Sequence, residues 1–180
     1  MSRLLSERSV YRRSALLSIV ALLVPFLAQT SAAAPDLAAL FQQARTVAFQ
    51  LSRDAAIMES YTRSNVSWKS HGTQITRIRE HINNAGSILS QMQAARADAQ
   101  PWHQDAIDAI TPTLKQLAAN TEAIISHLNE NPGRLRNPTY MEYLRSNAQS
   151  ASALSSAVRN VVEYDNTRTR MEELQAKLGR

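Results

Sequence analysis

The nearest approach to a metal-binding cluster in the sequence is His103, Asp105 and Asp108. Imidazole and carboxylate groups both bind metal ions in proteins. These residues follow Pro101 at the expected start of a helix, where acidic side chains are common because they favour the positive end of the helix dipole. None of the four histidines has the Glu-x-x-His pattern that places two ligands on one helix face. We therefore predict no metal site and retain these three residues only as candidates.

The residue patterns of catalytic and cofactor sites are also missing from the sequence. The absence of cysteine excludes disulfides, thiolate zinc sites and covalent haem attachment through Cys-x-x-Cys-His. Only four glycines are present, and neither a Gly-rich phosphate loop nor a Gly-x-Ser-x-Gly turn occurs. Met58, Met92 and Met171 fall at apolar positions, where methionine usually fills a core. We predict no catalytic residue and no cofactor, and therefore not an enzyme.

The net charge of +5 is concentrated at the N-terminus. Arg3, Arg8, Arg12 and Arg13 against Glu7 give residues 1–33 a charge of +3, which leaves +2 for the remaining chain. A domain so close to neutrality has no strong electrostatic attraction for nucleic acid. We therefore expect no nucleic-acid partner.

The N-terminal segment has the organisation of a secretory signal peptide. Residues 1–14 are polar and basic, and residues 15–28 are apolar without charge. Small residues at the third and first positions before a cleavage point suit signal peptidase, and Ser31 and Ala33 provide them. We therefore predict cleavage after Ala33, so that the mature chain begins at Ala34.

This interpretation divides the chain into a signal peptide at 1–33 and a helical domain at 34–180. The product is expected in the periplasm or secreted, without stable membrane insertion once the leader is removed. The uncharged stretch from Ser14 to Pro35 leaves an uncleaved anchor as the alternative. The Arg12-Arg13 pair leaves the twin-arginine export route open beside the general one.

From Asp36 onward, apolar residues recur at steps of three and four, which is typical of amphipathic helices. Gly72 suggests the first break, Pro101 the start of the third helix, and Asn131-Pro132-Gly133 the last turn. Pro112 is expected to kink the third helix. The predicted helices span about 36–68, 73–100, 101–128 and 138–178.

Four such helices joined by short turns predict an all-α fold, an antiparallel up-down-up-down four-helix bundle with coiled-coil-like packing and a long C-terminal helix. Trp68 and Trp102 are expected to close opposite ends of its core. The fourth helix is longer than the others, so its end is expected to project, fray or pair with a second copy.

These expectations favour an exported, non-catalytic helical-bundle protein that acts through protein–protein contacts, as a scaffold, interaction or chaperone-like protein. A protein partner or self-association would follow. The alternative is an exported four-helix bundle that binds a small ligand or a metal in its core.

Overall fold

The computed structural model describes residues 36–179, so the predicted signal peptide at 1–33 and the predicted cleavage residues Ser31, Ala33 and Ala34 lie outside the described residues. Within that range every regular element is helical, and four long helices pack against one another, which confirms the all-α prediction. They are α1 (Leu37–Ser60), α2 (Trp68–Ala94), α3 (Pro101–Glu130) and α4 (Pro138–Leu178). None of the helices between residues 36 and 179 combines the length and apolarity that crossing a bilayer requires.

The helix starts are set by local capping chemistry. Asp36 accepts a hydrogen bond from the Ala38 amide at 3.0 Å, and Asn137 accepts one from the Thr139 amide at 2.9 Å. Each satisfies an amide that has no partner within its own helix. Pro101 begins α3, where no amide donor is needed. The predicted starts of the first, third and fourth helices are therefore confirmed.

The predicted boundary between the first two helices is wrong. The chain leaves α1 at a short 3₁₀ turn, Tyr61–Arg63, and α2 begins at Trp68. Ser67 caps α2 by accepting a hydrogen bond from the Ser70 amide at 3.3 Å. Gly72 therefore lies inside a helix, where glycine costs about 1 kcal/mol relative to alanine. Burial of the adjacent His71 and of other side chains on that turn outweighs this cost.

The helices pack in a closed order, with α1 and α3 each contacting both α2 and α4. A continuous core of buried side chains fills the space between them. The third helix continues through Pro112 to Glu130. Between α3 and α4, the Asn120 side chain donates to Ser146 at 2.9 Å and the Asn147 side chain donates to Thr121 at 3.2 Å.

The predicted length of the fourth helix, about 40 residues, agrees with the 41 residues of α4. Its apolar positions do not all belong to the core, however. The last buried side chain of α4 is Val162, whereas Met171, Leu174 and Leu178 are exposed. The prediction that Met171 fills the core is therefore wrong, and all three exposed residues belong to the end of the helix that the sequence predicts to project, fray or pair with a second copy.

Candidate interaction surface

The three candidate metal ligands lie close together on α3 but take part in different contacts. Arg96 donates two hydrogen bonds to the Asp108 carboxylate, at 2.6 and 3.1 Å, and this pairing holds the pKa of Asp108 below its ordinary value. Asp105 is exposed, and His103 points into an aromatic stack. No group of three or more potential ligand side chains suited to a metal ion occurs between residues 36 and 179.

His103 lies between two aromatic rings at the start of α3. Its ring stacks on Trp102 with centroids 3.7 Å apart and on Phe41 of α1 with centroids 5.7 Å apart. Both ring nitrogens are buried without a hydrogen-bond partner. Burial lowers the pKa of His103, the charge of Asp165 opposes that shift, and Arg168 adds to it. Stacking alone therefore holds this imidazole.

A second histidine, His71, lies where α2 and α4 begin. Its Nδ1 and the Tyr140 hydroxyl oxygen are 2.7 Å apart, and both side chains are buried. Burial lowers the pKa of His71 and raises the pKa of Tyr140, so both groups remain neutral near pH 7. An activated phenolate nucleophile would need the opposite shift at Tyr140. The geometry suits a structural hydrogen bond.

His127 extends this contact to the connection between α3 and α4. Its ring stacks on Tyr140 with centroids 4.6 Å apart, and its Nε2 lies 3.2 Å from the carbonyl oxygen of Arg134. On the other side, Tyr61 packs on His71 with centroids 5.1 Å apart. One aromatic cluster thus joins the α1–α2 connection to the α3–α4 connection.

At the surface of these two connections, Trp68 is half exposed. As the first residue of α2 it keeps 50% of its surface accessible, so the prediction that it closes the core is wrong. It lines two grooves, one with Arg79 and one with Arg134 and Arg136. We call Asn65, Trp68, Arg134 and Arg136 the loop surface.

The two arginines of the loop surface, Arg134 and Arg136, have no carboxylate partner among residues 36–179. A guanidinium can donate two parallel hydrogen bonds to a carboxylate, and an indole offers a broad apolar face beside it. The loop surface can therefore bind a partner that presents carboxylates next to an apolar side chain.

Sequence reasoning did not identify this surface. Trp68 fell at the end of a longer predicted first helix. The arginines follow the predicted turn at Asn131-Pro132-Gly133 but were not singled out. The visible signal was a tryptophan at the first position of one capped helix together with arginines just before another.

Compared with known proteins, the chain matches no family model, no curated protein and no solved structure. Its function is therefore inferred from its own surfaces.

Proposed function

We propose that this is an exported, non-catalytic helical-bundle protein that acts through protein–protein contacts, as a scaffold, interaction or chaperone-like protein in the periplasm or outside the cell. The signal-peptide pattern at 1–33 supports export, and the domain at 34–180 is the acting part. The observation that carries the proposal is the half-exposed Trp68 beside Arg134 and Arg136, which have no carboxylate partner within 36–179.

The residue types of the loop surface and its rigidity both favour it as the site that contacts a protein partner. Tryptophan and arginine are the residue types most enriched among those that dominate binding energy at interfaces. The cluster of His71, Tyr140 and His127 beneath the surface fixes both connections before any partner arrives. A preordered surface loses less conformational entropy on binding. A partner with an acidic rim around an apolar side chain suits it best.

An antiparallel up-down-up-down order of the helices would bring the parts of the loop surface together at one end of the bundle. The contact of His71 with Tyr140 supports this order, because it joins the starts of α2 and α4. The stack of Phe41 on His103 joins the starts of α1 and α3 in the same way. In that order, the α1–α2 and α3–α4 connections share one end of the bundle.

The contact can be mapped by site-specific photocrosslinking in cells that express all 180 residues. A benzophenone amino acid at position 68 is expected to form adducts of defined mass. At position 49, where Phe49 is exposed to 57%, the same probe is expected to form none. Replacing both arginines, Arg134→Glu and Arg136→Glu, should remove the adducts at position 68. Equal adducts at both positions, or none at position 68, would contradict the proposal.

The second candidate function is a bundle that holds a small ligand or metal, and the unbonded nitrogens of His103 favour it. A nitrogen without a partner is costly to bury unless something binds it. Native mass spectrometry of the purified protein would show excess mass that disappears on denaturation and in a His103→Phe variant. Equal excess mass in that variant, or none in the wild type, would exclude a ligand at His103.

A further inference from the structure

The C-terminal part of α4 is a helix with no packing partner among the described residues. From Thr169 to Gly179 every described side chain is exposed, although the helix continues to Leu178. Three apolar side chains stand out there, because Met171 is 56% exposed, Leu174 49% and Leu178 86%. We call these three residues the tail stripe.

The tail stripe is not the bundle core continued. Met171 follows Val162 by nine positions, and at about 100° per residue this places it half a turn away from Val162 around the helix. By the same count, Leu174 and Leu178 lie about 120° and 160° from Val162. Packing in the bundle therefore does not account for the stripe.

Charges are arranged around the stripe by sign. Arg168 borders it on one side, while Arg170 and Lys177 border it on the other, each within about 100° of its centre. Glu172 and Glu173 lie toward the far side of the helix, where the Glu172 carboxylate accepts a hydrogen bond from Arg168 Nε at 2.9 Å. Arg170 and Lys177 are therefore the bases that carry the charge of the border. The sequence thus combines an apolar line, basic borders and an acidic back over two to three turns.

We propose that the tail stripe lies on an anionic lipid surface, with the helix parallel to the bilayer plane. Apolar side chains in such a helix enter the headgroup boundary, and basic side chains at its borders reach the lipid phosphates. The acidic residues then face water. This peripheral contact requires no spanning segment, and it involves a different part of the protein from the loop surface.

A second copy fits the same stripe less well. In a helix pair the positions of Arg168, Arg170 and Lys177 border the seam, so cations would face cations in an antiparallel pair. Three partly exposed aliphatic side chains per copy also bury well under the about 1,000 Å² expected of a stable interface. Charge complementarity therefore favours an anionic surface.

The probe is large unilamellar vesicles of phosphatidylglycerol and phosphatidylcholine in about equal parts, with pure phosphatidylcholine vesicles as the reference. Protein recovered after expression of all 180 residues is mixed with each, and the salt-sensitive bound fraction is measured by sedimentation. Arg170 and Lys177 each contribute about fivefold to the affinity for anionic lipid, since the charge of Arg168 is balanced by Glu172. Binding to the anionic vesicles should therefore be about 25-fold tighter and should fall steeply at about 0.5 M salt.

Matched variants separate the stripe from general charge. Arg168→Gln with Arg170→Gln and Lys177→Gln should lose at least about 25-fold in affinity. The control removes the same charge elsewhere, with Arg45→Gln, Arg77→Gln and Lys115→Gln, and should lose little. Every one of these side chains, apart from the half-buried Arg168, is exposed.

A second pair of variants tests the apolar contribution to vesicle binding. Leu174→Glu should abolish the salt-sensitive binding, whereas Phe49→Glu, which changes an exposed side chain on α1, should leave it intact. Circular dichroism checks that each variant remains helical.

An equal loss of vesicle affinity in the tail variants and in their controls would overturn the proposal. It would also be overturned if the wild-type protein showed no salt-sensitive binding to the anionic vesicles. A native mass that doubles with concentration and returns to one chain in Leu174→Glu, without vesicle binding, would assign the stripe to a second copy instead. Trp68→Ala should leave vesicle binding unchanged, so failure here is distinguishable from failure of the proposed function.

Discussion

The two histidine clusters of the bundle both pack an imidazole among aromatic rings but differ in how the imidazole is held. His71 lies among Tyr61, Tyr140 and His127 with its Nδ1 hydrogen-bonded at 2.7 Å. His103 lies in a stack of similar size with neither ring nitrogen bonded. Burial lowers the pKa of both.

This difference shows that an aromatic environment does not by itself define a histidine's role. A buried polar group contributes favourably only when its hydrogen bond is made, and an unmade bond costs more than a made bond gains. His71 therefore stabilises the connections beneath the loop surface. His103 is a cost to the fold, which the wild type tolerates through stacking.

Replacing the bonded histidine should give the largest effect. In His71→Phe the Tyr140 hydroxyl is left buried without its partner, so the free energy of unfolding should fall by about 2 to 3 kcal/mol. Urea titration followed by circular dichroism measures this. Adding Tyr140→Phe should restore part of the loss, because removing both partners is much less costly than removing one. No recovery in the double variant would show that the bond is not the cause.

Replacing the unbonded histidine should have the opposite sign. His103→Phe keeps a stacking ring between Phe41 and Trp102 and removes two unpartnered nitrogens. The free energy of unfolding should rise by about 1 kcal/mol. The same urea titration compares the two variants, and a loss of similar size in both would contradict the contrast between the clusters.

Lowering the pH should change the free energy of unfolding through both histidines, by less than either substitution does. Because burial lowers the pKa of His71 and His103 below the ordinary value of 6.5, the unfolded chain binds more protons than the folded one as pH falls below 7. The stability that depends on these neutral histidines is therefore fully present above pH 7, and it is lost as the pH falls toward their pKa values in the folded protein. Thermal unfolding between pH 7.5 and 5 should show this decline, and His103→Phe should flatten it. An unchanged slope in that variant would remove His103 from the account.

The smallest effect on stability is expected at the loop surface. Trp68 is half exposed, so Trp68→Ala should change the free energy of unfolding by about 0.5 kcal/mol or less. The variant should nevertheless lose its complex with the partner, since tryptophan at an interface carries a large share of binding energy. Measuring unfolding and complex formation on the same sample separates the two roles.

Much of the fold could be predicted from the sequence because the signals were local. Proline marked the starts of α3 and α4, and the spacing of apolar residues marked four helices. The boundary after α1 could not be placed correctly, because Gly72 reads as a break until the burial of its neighbours is known. Met171 was misassigned, because it follows Val162 by nine positions and therefore lies on the opposite side of the helix from the core.

The candidate site depended on contacts that no local pattern records. His71 and Tyr140 are 69 positions apart in the sequence. They meet because α2 and α4 both pack against α1 and α3. The exposure of Trp68 likewise depends on where α1 ends. The sequence suggested which residue types were present, but their partners follow from the assembled bundle.

The central claim, an exported protein that acts through the loop surface, is tested most directly by the native mass of the protein recovered from cells that express all 180 residues, beside its Trp68→Ala variant. The account predicts a chain that begins near Ala34, held in a complex of defined mass that the variant no longer forms. Full-length protein found only in membranes, or one unchanged native mass for both proteins, would contradict it.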